Sequence, residues 1–323
     1  MKKKIFLFTP IILLSFFLIT LIAFILPTIP QNPKTPNTPN TLPPKFTFRD
    51  FLKQTPPIIH NTNPLTLIAT GDIMLGRYCN VQMLNNKDWK YPFLKTADLT
   101  SSANITFGNL EAPIIENCPT TSSGMIFCAR TESVEGLKFA GFDILSLANN
   151  HILNYGQTGI EQTINLLNKN NILPSQGNNI TIKQFNNLRF GFLSFDLVTY
   201  PQTSLIPQIS QNLPKADVLI VSLHWGNEYQ KEPTEAQKKL AHEIIDAGAK
   251  IIIGHHPHVT QPVEEYNGGL IFYSLGNFVF DQNWSEETKK GEIAKIIFEG
   301  KNIKSYEVIP IYSENYCLPE ISK

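Results

Sequence analysis

Three of the seven histidines in the 323-residue chain, His255, His256 and His258, directly follow the apolar residues 251–254. Neutral imidazole is a common protein ligand of zinc and related metal ions, so this cluster could hold a metal ion. The alternative is a polar turn after a buried strand, held by Pro257. We predict that His256 and His258 are ligands, and that His255 is either a hydrogen-bonding partner of a ligand or an alternative ligand.

Four other apolar segments also end in side chains that bind metal ions or substrates. They end in Asp72, in Asn109 and Glu111, in Asn149, Asn150 and His151, and in His224. Asp and Asn are also common in turns, and a glutamate at such a position can be an exposed surface charge. Because sites form outside the carboxyl ends of strands in open α/β sheets, we expect these five ends to lie together. The predicted metal ligands are Asp72, Asn109, Asn150, His224, His256 and His258.

Further roles follow from side-chain chemistry. The predicted catalytic residues are His151 and His224, since an imidazole can transfer a proton or stabilise a transition state. The predicted substrate-binding residues are Arg77, Arg130 and Glu111. A guanidinium binds carboxylate or phosphate with two hydrogen bonds, although both arginines could equally belong to surface ion pairs. Asn149 is as compatible with a turn as with a role in the site.

The mixed set of carboxylate, amide and imidazole ligands suits Mn, Fe or Zn better than a thiolate site or a calcium site would. Such a divalent metal polarises a phosphoryl or acyl oxygen and supplies hydroxide near neutral pH. The sequence lacks the Gly-x-Ser-x-Gly, P-loop and dinucleotide-binding motifs, which argues against a serine hydrolase, a P-loop nucleotide hydrolase and a Rossmann enzyme. Basic and acidic residues number 27 each, so no overall charge predicts a nucleic-acid partner.

The elements that must position these residues alternate between apolar, β-branched segments and helical patterns. Helices are predicted over 158–171 and 233–248, the second with a capping box of Thr234 and Gln237. This alternation predicts an α/β architecture with much of its sheet parallel and covered on both faces. Four later segments, 188–195, 269–280, 292–300 and 303–312, have fewer helices between them. We expect these later segments to form a second sheet packed on the first.

The amino-terminal part of the chain has a different character. Residues 5–26 carry no charge and follow three lysines. As a helix rising about 1.5 Å per residue, this segment would be about 33 Å long, enough to cross a membrane. A cleaved signal peptide is the alternative, but its apolar region is usually shorter and ends in small residues. We predict a retained transmembrane anchor, 1–26, in the cell membrane, with a cytoplasmic amino terminus and an extracytoplasmic carboxy-terminal domain.

A linker rich in Pro, Thr and Asn, 27–64, should join this anchor to a folded domain, 65–316. The four cysteines lack Cys-x-x-Cys spacing and suit an oxidising compartment. Cys118 and Cys128 flank a short polar loop that a disulfide could close, with free thiols as the alternative. Cys79 and Cys317 would then form the remaining pair.

Six segments, in this order, resemble the bacterial CapA family of capsule and poly-γ-glutamate synthesis proteins. They are GDIMLGR at 71–77, GNLEAP at 108–113, GFDILSLANNHILNYGQTGI at 141–160, HWGNEY at 224–229, GAKIIIGHHPHVTQPVEEYNG at 248–268 and IFYSLGNFVFDQ at 271–282. The resemblance covers most of residues 65–312. It implies a calcineurin-like metallophosphatase fold, which is a double β-sheet sandwich flanked by helices, on a membrane anchor and outside the membrane.

The chain departs from this resemblance at three positions. Phosphatases of the implied fold usually begin with Asp-x-His and carry a bridging Asp on the next strand, where this chain has Met74 and Asn109. Asn154 stands where the family usually has Asp. These replacements argue against a full two-metal centre and leave one metal ion or none.

The resemblance implies a role in making, exporting or tethering an anionic surface polymer, often poly-γ-glutamate. The expected partners are this polymer or its precursors, the membrane, and other membrane proteins of polymer synthesis. One alternative function is that of a metal-dependent phosphoesterase or γ-glutamyl-type hydrolase. Another is that of a non-catalytic scaffold that keeps the same fold.

Overall fold

Sixteen strands and six α-helices occupy residues 64–202 and 204–322, which are the residues described in a computed structural model of the chain. The strands are β1 (Leu65–Ile73), β2 (Ile105–Leu110), β3 (Ile114–Ile115), β4 (Ala129–Arg130), β5 (Ile144–Ser146), β6 (Leu173–Ser175), β7 (Gly177–Phe185), β8 (Leu188–Asp196), β9 (Val218–His224), β10 (Ile251–His255), β11 (Val263–Tyr266), β12 (Gly269–Phe272), β13 (Asn277–Val279), β14 (Lys290–Glu299), β15 (Asn302–Tyr312) and β16 (Glu320–Ile321). The helices are α1 (Arg77–Asn86), α2 (Ala97–Thr100), α3 (Val134–Phe139), α4 (Gly156–Lys169), α5 (Ile206–Asn212) and α6 (Glu235–Asp246). All these elements lie in one compact unit.

The strands form two large mixed sheets and one small one. The first sheet has the order β16-β15-β14-β1-β2-β5-β6, with β13 also paired to β1, and the second has the order β11-β12-β10-β9-β8-β7. Neighbours from β1 to β6 in the first sheet, and from β8 to β12 in the second, are parallel. The prediction of an α/β fold with much of its sheet parallel is therefore confirmed.

The predicted division of strands between the two sheets is wrong in part. β8 and β12 lie in the second sheet as expected, but β13, which ends the predicted segment 269–280, and β14 and β15 belong to the first. The reason is that β14 pairs antiparallel with β1, in a register that runs from Leu65 opposite Phe298 to Thr70 opposite Ile293. Conversely, β9 and β10 lie in the second sheet. A buried apolar strand fits either sheet, so the choice depends on partners distant in sequence.

The two sheets pack face to face between two layers of helices. Leu67 and Phe107 of the first sheet share one core cluster with Phe192 and Ile253 of the second, and the rings of Phe107 and Phe192 stack with centroids 5.5 Å apart. Ile68, the next residue along β1, points to the other face and packs in a separate cluster. This alternation explains why the strands are apolar throughout, since each sheet is covered on both faces.

Each outer layer of helices covers one sheet. α4 contributes Ile160 and Leu167 to the core on the outer side of the first sheet. α6 contributes Ala241 and Ile244 to the core on the outer side of the second sheet. The predicted capping box at the start of α6 is confirmed, because Thr234 and Gln237 exchange hydrogen bonds between side chain and backbone.

Two disulfides form in the described part of the chain. Cys118 is bonded to Cys128, and Cys79 of α1 is bonded to Cys317 near the carboxyl end. No described helix is both long and apolar enough to cross a membrane. The predicted anchor, 1–26, and nearly all of the predicted linker, 27–64, lie outside the described residues and stay predictions.

Candidate metal centre

The carboxyl ends of strands from both sheets meet at one edge of the sandwich. Asp72 lies beside Asn109 on parallel strands of the first sheet, and His224 lies beside His255 on parallel strands of the second. The amide of Asn109 joins the two pairs, because its Nδ2 donates to Asp72 Oδ1 at 2.9 Å and lies 3.4 Å from His224 Nδ1. All four side chains are buried. The topology therefore brings these predicted site residues together.

Asp72 is the most heavily contacted carboxylate of the site. Its Oδ1 lies 3.1 Å from His255 Nδ1, and its Oδ2 lies 3.3 Å from His258 Nδ1 and accepts the backbone N–H of His256 at 3.2 Å. Burial alone would raise the pKa of Asp72, but the contacts with His255 and His258 outweigh burial and hold this pKa well below its usual value. Asp72 is therefore ionised at neutral pH.

Glu111 is buried in the same site, where little offsets the cost of removing its carboxyl group from water. Neither of its carboxylate oxygens has a hydrogen-bond partner among the described residues. Its Oε1 lies 3.7 Å from His258 Nε2 and 4.0 Å from His151 Nε2. Burial, followed by repulsion from Asp72 and Glu228, raises the pKa of Glu111 well above its usual value. A carboxyl group in this setting calls for a proton or a bound cation.

The backbone of the histidine segment is strained. His256 and His258 have φ angles of 94° and 57°, in the left-handed region that side chains other than glycine rarely adopt. Between them, the carbonyl of Pro257 accepts the N–H of Tyr229 at 2.8 Å, and Tyr229 itself has a φ of 62°. Such strain persists only where the surrounding structure imposes it, and it clusters at functional sites. In this conformation His256 and His258 offer ligand atoms within 4.8 Å of each other and of Glu228.

The buried imidazoles of His224 and His256 are in the neutral state that binds metal ions. Burial, and then the neighbouring His258, lower the pKa of His256 to about 4. Burial, and then the neighbouring His256, hold the pKa of His224 well below its usual value. His256 Nδ1 has no hydrogen-bond partner among the described residues. These rings can therefore donate nitrogen lone pairs at neutral pH.

Asn149 and Asn150, which follow β5, have different positions in the site. Asn150 Oδ1 lies 3.0 Å from His224 Nε2, at the cluster itself. The Asn149 amide instead donates to Asn109 Oδ1 at 3.1 Å and to the Leu110 carbonyl at 2.9 Å. Asn149 therefore orients the side chain of Asn109 rather than facing the cluster.

His151 lies beside Glu111 against an aromatic wall. Its Nδ1 is 3.1 Å from Asn154 Oδ1, and its ring stacks on Phe127 with centroids 3.9 Å apart. Burial lowers the pKa of His151, although the contact with Asn154 opposes this shift. A neutral imidazole whose Nε2 faces Glu111 is suited to accepting a proton, as the predicted catalytic role requires.

The two predicted substrate-binding arginines lie in different places. Arg77 lies near the site, stacked 4.5 Å over Phe127, but its guanidinium forms a salt bridge with Asp281 and donates to the Gly124 carbonyl at 2.8 Å. A substrate anion would have to compete with Asp281 for it. Arg130 donates to Thr120 Oγ1 at 3.1 Å and lines a separate surface cavity of about 540 Å³. None of its hydrogen bonds within the described residues reaches the histidines. Substrate binding by either arginine stays a prediction.

Two groups of three side chains could each hold a metal ion, with ligand atoms within 4.8 Å of one another. They are Asp72, Glu111 and His224, and Glu228, His256 and His258. The buried, unpartnered oxygens of Glu111 and the unpartnered nitrogen of His256 fit a divalent cation. Glu228 is not among the predicted ligands, although it stands in the HWGNEY segment, four residues after His224.

Two further contacts of the site were also missed from the sequence. Asn277 Oδ1 lies 3.1 Å from His258 Nδ1, and Asp281 pairs with Arg77. Both residues belong to the IFYSLGNFVFDQ segment, which is one of the six segments of the family resemblance but supplied none of the predicted site residues. The place of both residues in this segment is the sequence feature from which their roles could have been predicted.

Comparisons with known proteins agree on one family. A model of the bacterial capsule synthesis protein PGA_cap family matches residues 66–282. The chain is 34% identical over 286 residues to the capsule biosynthesis protein CapA of Bacillus anthracis, covering 79% of this chain and 69% of the relative. It is 32% identical over 285 residues to the PGA biosynthesis protein CapA of Bacillus subtilis strain 168, covering 80% and 74%.

A solved structure shares the fold. The chain resembles the crystal structure of a novel phosphatase from Mycoplasma pneumoniae with a TM-score of 0.52 and 17% identity. The likeness covers 78% of this chain and 94% of that one. At this level of identity the likeness concerns the fold, and it agrees with the two-sheet sandwich described above.

Proposed function

The chain belongs to the bacterial capsule synthesis protein PGA_cap family, and we propose that it acts outside the membrane in the synthesis, export or tethering of an anionic surface polymer. The names of the two Bacillus relatives, which refer to capsule and PGA biosynthesis, support a polymer of the poly-γ-glutamate type. The predicted anchor at 1–26 would keep the domain at the membrane, near other proteins of polymer synthesis.

The observation that best supports a bound metal ion is the burial of the Glu111 carboxyl group without a hydrogen-bond partner. Glu111 is 0% exposed, and neither of its oxygens has a hydrogen-bond partner among the described residues. Asp72, Glu111 and Glu228 form no salt bridge with a described lysine or arginine, whereas Arg77 is already paired with Asp281. Without a bound cation, no described lysine or arginine would offset the negative charge of Asp72, which would repel an anionic polymer. We therefore expect metal binding to make the site attractive to anions.

The chain's own residues then have distinct tasks. The two triads would hold the metal: ionised Asp72 with Glu111 and neutral His224, and Glu228 with neutral His256 and His258. A bound divalent ion would attract carboxylates and polarise an acyl or phosphoryl oxygen. Asn109, oriented by Asn149, links Asp72 of the first sheet to His224 of the second.

A second candidate function is metal-dependent hydrolysis of a γ-glutamyl or phosphoester bond. The observation that favours it is the position of His151, a neutral imidazole whose Nε2 lies 4.0 Å from Glu111 at the edge of the cluster. Turnover of either substrate class that is lost in His151→Gln, with metal content unchanged, would support hydrolysis. Polymer binding without turnover would leave the protein a binding factor.

Metal content of the full-length chain tests the proposal. We expect wild type to contain stoichiometric Mn, Fe or Zn, and a His256→Ala, His258→Ala double variant to lose most of it. His242→Ala is the matched control, because His242 lies outside the site and bonds to Glu264 at 2.8 Å. Poly-γ-glutamate should bind wild type in the presence of metal and be released by a chelator.

Two outcomes would contradict the proposal. Absence of metal from wild type, both as purified and after incubation with Mn²⁺ or Zn²⁺, would favour the non-catalytic scaffold. Polymer binding that a chelator leaves unchanged would exclude a role for metal in holding the polymer. Thermal unfolding of wild type during metal titration gives a second measurement if the double variant fails to fold, since a ligand of the folded state raises Tm.

A further inference from the structure

A cleft of about 730 Å³ opens directly beside the histidine cluster. It lies between the loop after β5, the start of β7 and the end of β8. Asn150 belongs to both places, because it lines the cleft and its Oδ1 lies 3.0 Å from His224 Nε2. Asp196, also in the lining, is the register neighbour of His224 on the adjacent parallel strand. The cleft therefore continues the proposed site, and its volume is that of a ligand subsite.

The lining of this cleft is chemically unlike the cluster. Its polar side chains are mainly amides, including Asn149, Asn150, Gln176, Asn178 and Asn179. Asp196 is the one charged side chain among the described residues that line it. An anionic group would find no cationic partner there and would be repelled by Asp196. Carboxamides, in contrast, both donate and accept hydrogen bonds, as does a peptide-like amide of a ligand.

One oxygen of the Asp196 carboxylate is held by hydrogen bonds, and the other has no partner among the described residues. Its Oδ1 accepts the backbone N–H groups of Val198 at 2.9 Å and Thr199 at 3.0 Å. Its Oδ2 forms no hydrogen bond or salt bridge with any described residue. Asp196 is thus oriented by its own loop while one carboxylate oxygen stays available to a ligand. A protonated amine is the group that this oxygen would bind best, since a charge-assisted hydrogen bond is stronger than a neutral one.

We infer that the cleft is a subsite for a protonated primary amine attached to an amide-containing chain, with Asp196 as its anchor. This inference rests on the proposed function, because it takes the neighbouring cluster as the place where the anionic part of the polymer is held. The amine has two sources of the same chemistry. It is either the amino end of the γ-glutamyl polymer itself, whose adjoining α-carboxylate would have to face the neighbouring cluster, or the side-chain amine of a separate peptide that receives the polymer.

Binding of matched amines and acetylated amines to the full-length, metal-loaded chain tests the inference. The probes are a γ-glutamyl hexamer with a free amino end, a short peptide amide with one side-chain amine, and the N-acetylated form of each. In wild type, we expect acetylation of at least one probe to weaken binding about tenfold by calorimetry at constant ionic strength. In Asp196→Asn, the free and acetylated forms of that probe should bind equally.

Asp196→Asn is a conservative variant because an asparagine Oδ1 can still accept the N–H groups of Val198 and Thr199. Equal binding of free and acetylated forms of both probes to wild type would overturn the inference. So would a preference for amines that persists in Asp196→Asn. The probe that acetylation weakens more identifies the source of the amine, and either source supports the subsite.

The result is separable from that of the proposed function. Metal content and binding of long poly-γ-glutamate, in which amino ends are scarce, should be the same in Asp196→Asn and wild type. Loss of either in this variant would mean that Asp196 maintains the cluster, and would overturn its assignment as an amine anchor. Absence of metal and polymer binding in wild type would instead contradict the proposed function, and the comparison of free with acetylated probes can still be made.

Discussion

The contribution of Glu111 to the stability of the folded protein depends on whether its carboxyl group is protonated. Burial, and then Asp72 and Glu228, raise its pKa well above the usual value, and neither of its oxygens has a partner in the described structure. In the metal-free protein, the folded state therefore keeps a proton that the unfolded chain releases near pH 4. The stabilising contribution of this proton is complete below the unfolded pKa and is lost as the pH rises through the folded pKa.

Glu111→Gln removes this titration. In the presence of a chelator, we expect the variant and wild type to have similar free energies of unfolding at pH 4. At pH 8 the variant should be more stable by more than about 1 kcal/mol, because an unpaired buried charge costs more than an unpaired neutral group. Urea denaturation at both values of pH measures the difference. Saturating Mn²⁺ should reverse the order, since glutamine supplies no carboxylate; a variant that still gains as much stability as wild type would contradict the ligand role.

Asn154 influences the protonation of the His151 ring. Its Oδ1 lies 3.1 Å from His151 Nδ1 and accepts the Phe127 N–H at 2.7 Å. Asn154→Asp would place a negative charge at this position while keeping an oxygen acceptor for Phe127. We expect the pKa of His151, now lowered by burial, to rise by about 1 or more.

NMR titration of the histidine ring protons measures this change. The His242 signal should titrate as in wild type, because His242 lies on α6 and contacts Glu264. An unchanged His151 titration in Asn154→Asp would show that Asn154 does not determine the protonation of this ring. A raised pKa would place more of His151 in the charged form at neutral pH, where it can no longer accept a proton.

At the scale of elements, the strand ends show how far sequence reasoning reaches. Asp72, Asn109 and His224 could be placed together because each ends an apolar strand, and parallel strands bring their carboxyl ends to one edge. Asn277 could not, because its place beside Asp72 comes from the parallel pairing of β13 with the end of β1. Local patterns carry no record of such a pairing. Glu228 was missed for a related reason, since it lies in the turn after β9 and the fold of that turn brings it to His256.

The disulfide loop 118–128 forms one wall of the site. Its Gly124 carbonyl accepts from Arg77, and its Phe127 donates to Asn154 and stacks on His151. Closure of a loop of this length contributes about 2–3 kcal/mol by restricting the unfolded chain. Its removal should therefore act on stability and on His151 together.

The Cys118→Ser, Cys128→Ser variant tests this element. We expect the free energy of unfolding to fall by about 2–3 kcal/mol. The pKa of His151 should also rise toward its usual value, because the cause of its lowering is burial. Chemical denaturation and NMR titration measure the two effects, and Ser122→Ala in the same loop is a control that keeps the disulfide. Loss of stability without a change in the pKa of His151 would mean that the loop keeps its position against His151 without the disulfide.

At the scale of the whole molecule, the second disulfide joins the beginning and end of the described structure. Cys79 in α1 and Cys317 are 238 residues apart, and both are fully buried. Closing so long a loop contributes about 5–6 kcal/mol in the chain-entropy model. All four cysteines of the chain are paired. The stability of the domain therefore depends on whether the chain is in a compartment that oxidises cysteines. Disulfides persist outside the cytoplasm and are rare within it.

The predicted topology therefore has a consequence that can be measured in cells. Full-length protein should fractionate with membranes and show no thiol labelling by a maleimide reagent under denaturing conditions until it is reduced. Deletion of 1–26 should leave the chain in the reducing cytoplasm, where the same reagent labels four thiols. The domain would then lose about 7–9 kcal/mol, which is what the two disulfides together contribute. A protein of marginal stability would then be degraded or aggregate. A deleted chain that still forms both disulfides in the cytoplasm, or a full-length chain with free thiols, would contradict the extracytoplasmic orientation.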